Sequence, residues 1–439
     1  MSSIFQQTFC NSAWYECHIY YNGDYGVCCA EWHKPDNSDK GSHVKSKYNI
    51  QSMTLREWYN SDLMRKIRKS FVTTNSRLSM CQKCYLTEDT TQHSRRPMQL
   101  QKSAIFPHAD FEESYKQSPH YKSFEMARQD GYTDTLPIDF HIDLGNFCNC
   151  ACKMCYAPAS STIAKQEVIW GNENARNFLG TDWTKDSLVW YRFIEELVTL
   201  PIKNLHFMGG ETLLTPRFEQ LVDYLIEHKR FDVNFSFVTN GTVYNEKLMQ
   251  KLQQFNRIGI EISAETTDVR NEYVRQGTKN IELFKNIERY KKLVDNKRIT
   301  INMRPVPSVL TIGTYHTLLQ YCIDNNFLIQ SIQIREPYYM DVKHLPDYLK
   351  QQYLLEYDKL VEKNHIDLSP QHNDYNHRDM KEQPKVIAWH VQQAINLLKQ
   401  PRDDDSDKHL AELFAHCKKW DSVYGFDLYK IYPEFVDVV

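Results

Sequence analysis

Six short apolar runs, each followed by a helical pattern, occupy the middle of this 439-residue chain. In the helical stretches, such as Leu188–Leu200, apolar residues recur at three- and four-residue spacing. This alternation predicts an α/β fold, a parallel sheet with helices outside it, and six strands predict a partial (β/α)6 barrel. Ligands of such sheets bind at the carboxyl ends of the strands. The predicted strands are Ile138–Leu144, Asn204–Met208, Val233–Val238, Ile258–Ser263, Ile299–Arg304 and Ser331–Arg335.

The formal net charge of -3 argues against a nucleic-acid partner, which needs a basic surface. The first twelve residues contain no basic segment followed by an apolar run, and no stretch is long enough to span a membrane. We therefore expect a cytoplasmic protein with no membrane or nucleic-acid partner. In that reducing compartment, clustered cysteines are metal ligands more often than disulfides.

Three cysteines, Cys148, Cys152 and Cys155, follow the first predicted strand with C-x3-C-x2-C spacing. Three thiolates at this spacing can hold three corners of a [4Fe–4S] cluster and leave the fourth iron open to a small molecule. A zinc site is the alternative, although zinc ligands usually come as two C-x2-C pairs. We interpret Cys150 as an extra thiol that either packs or supports the neighbouring ligands. The spacing favours the cluster.

Further polar and glycine-rich segments follow the later strands, and with the cysteines they resemble the radical S-adenosylmethionine (radical SAM) superfamily. The resemblance implies that the open iron binds SAM and that Gly209-Gly210-Glu211 holds its amino group. It also implies a ribose contact by Ser263 and a position for Arg275 near the SAM carboxylate. Met154 stands where an aromatic residue is common, and its thioether can pack on adenine. The expected SAM-binding residues are Met154, Gly209, Gly210, Glu211, Thr239, Asn240, Ser263 and Arg275.

A second set of four cysteines lies near the N-terminus. Asn22-Gly23 predicts a hairpin between the first two of them. The capping box Thr54-Leu55-Arg56-Glu57 predicts the start of a helix that runs to about Phe71. This pattern resembles the SPASM/Twitch modules of radical SAM proteins, which implies an auxiliary [4Fe–4S] cluster. The module precedes the core here, whereas most follow it. A zinc ribbon is the alternative, and Cys17 or Cys29 could substitute as ligands. The expected auxiliary ligands are Cys10, Cys28, Cys81 and Cys84.

The predicted domains are an auxiliary-cluster module at 1–95, a linker at 96–135, the radical SAM core at 136–345 and a helical extension at 346–439. His365, His372 and His377 fit no standard metal site and are expected in a solvated loop.

The resemblance implies an oxidoreductase that cleaves SAM reductively to a 5′-deoxyadenosyl radical, which takes a hydrogen atom from a peptide or a small metabolite. A four-cysteine auxiliary cluster has no open iron and would accept electrons, so we expect a net oxidation such as dehydrogenation or cross-linking. Flavodoxin or ferredoxin is the expected electron donor. The alternatives are a redox-neutral rearrangement or epimerisation of a small metabolite, and a non-catalytic zinc-binding scaffold.

Overall fold

The structure is a computed structural model, and it describes residues 8–31, 33–37, 43–74, 76–91, 94–105, 111–295, 298–332, 334, 336–369 and 380–438. Two compact units divide the chain. The first comprises Met1–Phe147, Glu167–Ser236 and Gln250–Asn256, and the second comprises Cys148–Gln166, Phe237–Met249 and Arg257–Val439.

Ten strands occur along the described chain. They are β1 (Glu16–Ile19), β2 (Tyr25–Gly26), β3 (Asp139–Asp143), β4 (Ala151–Cys152), β5 (Asn204–Met208), β6 (Asn234–Thr239), β7 (Arg257–Ile262), β8 (Arg275–Gln276), β9 (Ile299–Met303) and β10 (Leu328–Ile329).

The first unit contains strands in the order β2-β1-β3-β5-β6, with β6 crossing the division between the units. β1 and β2 form the antiparallel hairpin expected around Asn22-Gly23, while β1 with β3 and β3 with β5 are parallel. One face of this sheet is apolar, because alternate residues such as Phe140, Ile142 and Phe207 are buried. Phe207 packs against Phe218 of a covering helix, with ring centroids 4.9 Å apart.

The second unit contains the remainder of β6 and continues in the order β6-β7-β9-β10. β7 with β9 and β9 with β10 are parallel. The separate two-stranded β4-β8 pair is antiparallel and belongs to the same unit. The carboxyl ends of β6 and β7 meet where Ser263 N donates to Thr239 O at 2.9 Å.

Helices connect the strands in both units. Those of the first unit are Ser12–Tyr15, Leu55–Tyr59, Asp62–Thr73, Gln82–Thr91, Arg95–Lys102, Phe111–Gln117, Tyr121–Asp130, Ser187–Val198 and Pro216–Glu227. Those of the second unit are Val269–Val274, Asn280–Lys291, Ile312–Asn325, Asp347–Asn364, Gln383–Leu398, Ser406–Tyr424 and Leu428–Ile431. Ser161–Ile169 and Glu246–Leu252 cross the division.

The predicted α/β class is confirmed, with a mostly parallel sheet, an N-terminal cysteine-rich segment and a helical C-terminal region. Five of the six predicted strands lie within one residue of the observed bounds at either end. The sixth prediction, Ser331–Arg335, was wrong, because the strand is Leu328–Ile329. Two of the predicted residues, at 333 and 335, lie outside the described residues.

The predicted helix from Thr54 to Phe71 is instead two helices, Leu55–Tyr59 and Asp62–Thr73. The capping box opens the first as expected, but Ser61 caps a second helix by accepting a hydrogen bond from Met64 N. Residues 96–135, predicted as a linker, contain the helices Phe111–Gln117 and Tyr121–Asp130 and all but the first residue of Arg95–Lys102. Of the three histidines assigned to a polar loop, His372 and His377 lie outside the described residues.

Candidate functional site

The segment 148–155, called the cysteine loop below, begins the second unit. Its centre forms β4, which pairs with β8 so that Cys152 stands opposite Arg275 and Ala151 opposite Gln276. The pairing continues past the strand, because Lys153 N donates to Val274 O at 2.8 Å. The loop is therefore anchored through its backbone, which leaves cysteine side chains available as ligands.

Asn240, which follows β6, fastens the other side of the cysteine loop. Its Nδ2 donates to Asn149 Oδ1 at 2.8 Å and to Cys150 Sγ at 3.3 Å. Its Oδ1 accepts from Thr242 N at 3.0 Å, which fixes the amide orientation. Asn240 is also a predicted SAM contact, and within the second unit its amide holds the loop. The contact also supports the interpretation of Cys150 as a packing residue.

Gly277 permits a close approach between the Arg275-Gln276-Gly277-Thr278 segment and the cysteine loop. Its φ is +99°, and a Cβ added there would lie 2.8 Å from Asn149 O. A side chain at this position would therefore push the loop away. Thr278 Oγ1 lies 3.7 Å from Cys150 Sγ on the same side.

Arg275 and Glu265 form a buried ion pair behind the loop, with 3.0 Å between Arg275 Nη1 and Glu265 Oε1. Glu265 Oε2 also accepts from Val306 N at 2.6 Å. The buried Arg275 Nε has no hydrogen-bond partner among the described residues. The guanidinium thus places a positive charge, with one donor unused, beside Cys152. This suits a nearby anionic group, and the predicted occupants, a thiolate-ligated cluster and the SAM carboxylate, are both anionic.

The three predicted ligands of this loop differ in electrostatic environment. The pKa of Cys148 is lowered to about 6, chiefly because its sulfur accepts hydrogen bonds from Cys150, with help from the charge of Arg275. Burial raises the pKa of Cys155. Cys148 and Cys155 are half-buried, and Cys152 is 8% exposed. Met154 and Ser263, two further predicted SAM contacts, are half-buried in the same unit.

The Gly209-Gly210-Glu211 segment lies in the first unit, at the end of β5. Glu211 N donates to Phe147 O at 2.7 Å, so this turn holds the residue that precedes Cys148. A Cβ on Gly210 would lie 2.3 Å from Phe147 O, and its φ is +57°. Glycine is therefore required here on steric grounds. The Glu211 carboxylate is buried and accepts from Leu213 N at 3.2 Å.

The auxiliary set, Cys10, Cys28, Cys81 and Cys84, is half-buried within the first unit. Burial raises the pKa of all four thiols, to about 11 for Cys10. Cys10 and Cys84 each raise the pKa of Cys81, so these three lie in one electrostatic neighbourhood. Such thiols stay protonated at neutral pH unless a cation is bound, and metal ligation supplies one.

The two alternative auxiliary ligands occupy different positions. Cys17 is 1% exposed, lies on β1 and interacts with Trp58, so it is a core residue. Cys29 is half-buried beside Cys28, whose N–H donates to Glu31 Oε1 at 3.1 Å. The side chain of Arg95 lies near both Cys28 and Cys29 and is paired with Glu16 at 2.8 Å. Only Cys29 therefore stays an alternative ligand to Cys28.

Sequence reasoning missed a cation–aromatic contact at the cysteine loop. Lys153 Nζ lies 4.1 Å from the ring centroid of Tyr273 and 4.6 Å from that of Trp420 on the C-terminal helix Ser406–Tyr424. Burial lowers the pKa of Lys153 to about 8. No local signal reveals this contact, because the three residues are far apart in the sequence. It ties the helical C-terminal region to the loop within the second unit.

No three cysteine sulfur atoms of the described chain lie within 4.8 Å of one another. Among the described residues, three donor atoms of His, Cys, Asp or Glu come within 4.8 Å of one another in a single group, which contains no cysteine. A tetrahedral zinc site built from four cysteines holds its sulfur atoms about 3.8 Å apart. The donor chemistry of both sets fits a thiolate-ligated iron–sulfur cluster.

Two family models match the chain. Residues 142–309 match the radical SAM superfamily, and residues 10–85 match SPASM, an iron–sulfur cluster-binding domain. The chain belongs to the radical SAM superfamily. The cofactors of its two matched domains are SAM and [4Fe–4S] clusters, and the order, with the SPASM domain before the radical SAM domain, is confirmed. Both matches favour iron–sulfur clusters over a zinc scaffold.

Curated relatives resemble parts of this radical SAM protein. The radical SAM cyclopropyl synthase TigE of Paramaledivibacter caminithermalis is 24% identical over 150 residues, which is 32% of this chain and 29% of the relative. The PqqA peptide cyclase of Granulibacter bethesdensis is 26% identical over 82 residues, 19% of this chain and 21% of the relative. The matched segments thus span less than a third of either relative.

Solved structures show weaker similarity. Streptococcus suis SuiB bound to the precursor peptide SuiA is 12% identical with a TM-score of 0.35, covering 83% of this chain and 84% of that chain. Native anSMEcpe with bound AdoMet is 18% identical with a TM-score of 0.39, covering 52% of this chain and 62% of that chain.

In the part of the chain that the structure describes, every helix is too short or too polar to cross a lipid bilayer.

Proposed function

We propose that this radical SAM enzyme catalyses a net oxidation, such as dehydrogenation or cross-linking, of a peptide. The observation that carries the proposal is the presence of two cysteine sets with different numbers of ligands. Apart from Cys150, which is held by Asn240 and Thr278, the cysteine loop offers three thiols, and the auxiliary set offers four. Three ligands leave one iron open, whereas four close the cluster and suit it to electron transfer.

The first part of the proposal assigns Cys148, Cys152 and Cys155 as ligands of the SAM-binding cluster. When bound, this cluster and SAM supply a 5′-deoxyadenosyl radical that removes a hydrogen atom from the substrate. The side chain of Arg275 compensates negative charge beside Cys152, and its free Nε is placed to donate a hydrogen bond. Asn240 holds the loop from the other side.

The remaining SAM contacts are assigned to strand ends. Gly209 and Gly210 are assigned as backbone contacts of SAM, and Glu211 supplies a buried carboxylate for its amino group. Thr239, Asn240, Ser263 and Met154 are proposed to complete the site.

The second part assigns Cys10, Cys28, Cys81 and Cys84 as auxiliary-cluster ligands. The proposed domains are the auxiliary-cluster module at 1–95, the linker at 96–135, the radical SAM core at 136–345 and the helical extension at 346–439. A closed cluster in this module would take the electron that the substrate radical loses, which makes the reaction an oxidation. Peptide specificity draws support from the two partial relatives, a cyclopropyl synthase and a peptide cyclase. We further propose a cytoplasmic location, on the cysteine content, and flavodoxin or ferredoxin as the electron donor.

SAM cleavage by anaerobically reconstituted, reduced protein tests the first part. The variant carries Cys148→Ala, Cys152→Ala and Cys155→Ala together, and Cys150→Ala in the same loop is the matched control. We expect 5′-deoxyadenosine from the wild type and from Cys150→Ala, and none from the triple variant. Cleavage by the triple variant, or its loss in Cys150→Ala with full iron loading, would overturn the ligand assignment.

A further inference from the structure

The polar face of the first-unit sheet carries a row of histidines that the proposed function does not use. This face lies opposite the apolar face described above. His18 on β1 is in register with His141 on β3, which is in register with His206 on β5. His206 Nδ1 lies 2.7 Å from Ser236 Oγ on β6, so four adjacent strands each contribute one polar side chain at the same level.

An acidic side chain completes one end of the row. Asp143 follows His141 by two positions, so it lies on the same face of β3, toward the carboxyl end. Asp143 Oδ2 is 3.5 Å from His18 Nε2. Among the described residues, His18, His141 and Asp143 form the one group whose three donor atoms all lie within 4.8 Å of one another.

We propose that His18, His141 and Asp143 form a binding site for a divalent first-row transition metal ion. Two imidazoles and one carboxylate are the donors that zinc, iron and their neighbours prefer, and hard ions such as magnesium prefer oxygen alone. Donor atoms about 2.1 Å from an ion at tetrahedral angles are roughly 3.4 Å apart. The distance between His18 and Asp143 already matches this value, and small side-chain rotations bring His141 in.

The surroundings hold these side chains in place, as metal sites require. The His18 ring lies against Tyr20, with ring centroids 4.0 Å apart, and Tyr20 Oη donates to Glu31 Oε2 at 2.5 Å. On the other side, the His141 and His206 ring centroids are 4.6 Å apart. His18 is buried, and Asp143 has 14% of its side chain exposed, so the site is largely shielded from bulk solvent.

The carboxylates one layer below this site have a different role. Asp139, on the same face of β3, is paired with Lys102 at 3.0 Å and accepts from the Asn204 amide. Glu16, its register partner on β1, is paired with Arg95 at 2.8 Å. These acids are therefore part of ordinary ion pairs. Asp143 instead faces the imidazole of His18. A neutral imidazole and a carboxylate can both serve as ligands of one metal ion.

The site also lies next to the Gly209-Gly210-Glu211 turn within the first unit. A Cβ added to Gly209 would lie 2.8 Å from Asp143 Cβ, so backbone and carboxylate are in close contact. Three protein ligands leave at least one coordination position for water or another oxygen ligand. Uptake of the ion needs neither SAM nor a substrate, so failure of this proposal would leave the proposed function untouched.

Zinc is the appropriate probe, because iron at this site would be confused with cluster iron. Reconstituted holoprotein is treated with chelator, desalted and equilibrated with Zn²⁺, and zinc, iron and sulfide are measured on the same sample. The variants are His141→Gln and Asp143→Asn. Asp139→Asn is the matched control, since it makes the same change on the same face of the same strand.

We expect one zinc per wild-type chain with iron and sulfide unchanged. Each of the two variants should bind zinc at least about 100-fold more weakly, a larger effect than loss of a group that only supports a ligand. Asp139→Asn should bind it like the wild type, and the zinc X-ray absorption spectrum should show imidazole and oxygen ligands. Absence of zinc in the wild type, equal uptake by all variants, or a sulfur ligand shell would overturn the proposal. A His18–Asp143 ion pair alone would explain the first of these results.

Discussion

Replacing Gly210 by alanine should displace the start of the cysteine loop. The added Cβ would lie 2.3 Å from Phe147 O and 2.9 Å from Asn146 C, both backbone atoms that cannot rotate away. An ordinary contact is roughly 1 Å longer, so the backbone of Phe147 must move by about that distance. Because Phe147 directly precedes Cys148, the movement is passed to the first predicted cluster ligand.

Two costs add in this variant. A left-handed conformation costs a non-glycine residue about 1–2 kcal/mol, and forcing an extra methyl group into a packed site costs about 1–3 kcal/mol. We therefore expect Gly210→Ala to lose about 2–5 kcal/mol of unfolding free energy. Gly425→Ala is the matched control, because its φ of +72° is also left-handed while nothing lies within 4 Å of the added Cβ. Gly425→Ala should lose only the cost of the left-handed conformation, about 1–2 kcal/mol of unfolding free energy.

The assay combines urea unfolding of the apoprotein with iron and sulfide content after anaerobic reconstitution. Gly425→Ala should bind as much iron and sulfide as the wild type. Gly210→Ala should fail to assemble the cluster of the cysteine loop, and its iron content should fall by the iron of that one cluster. If Gly210→Ala unfolded at the same urea concentration as Gly425→Ala and bound as much iron, the backbone contact with Phe147 would not be needed to place Cys148.

Four further variants test the two cysteine sets and their surroundings. Glu265→Gln leaves the Arg275 guanidinium buried without its counter-charge and should cost about 3–5 kcal/mol; an unchanged urea midpoint of the apoprotein would contradict this. Asn240→Ala removes two hydrogen bonds to the cysteine loop, worth about 1–3 kcal/mol together, and should speed iron loss to a chelator; equal rates would show that the loop is held elsewhere. Cys17→Ala should keep the auxiliary cluster while Cys28→Ala loses it, as measured by iron content, and the reverse result would exchange their roles.

The parts of this structure that sequence reasoning located depend on local patterns. The apolar run at Asn204–Met208, followed by Gly209-Gly210, predicted both ends of β5. C-x3-C-x2-C spacing marked the cysteine loop for the same reason, since neighbouring residues carry the signal. The sixth strand was misplaced because the apolar run at Phe327–Ile329 joins directly to a helix end, where Asn326 adopts φ of 52°.

The parts that were missed depend on pairing between distant segments. Nothing near Glu16–Ile19 indicates that β1 joins the sheet parallel to β3, which lies far along the chain. That pairing brings His18 beside His141, so the proposed metal site cannot be predicted until the register of β1 on β3 is known. The hydrogen bond from Asn240 to the cysteine loop was missed for the same reason, because its partner Asn149 is 91 residues away.

The groups that hold the cysteine loop are not its predicted cluster ligands. Asn240 and Thr278 contact Cys150, Gly277 approaches Asn149, and β8 pairs with the backbone of β4. These contacts hold the loop through its backbone and through Cys150, so the fold itself contributes to ordering the loop. They suit the proposed three-cysteine cluster, because protein contacts rather than a fourth ligand would then fix the positions of the three cysteines.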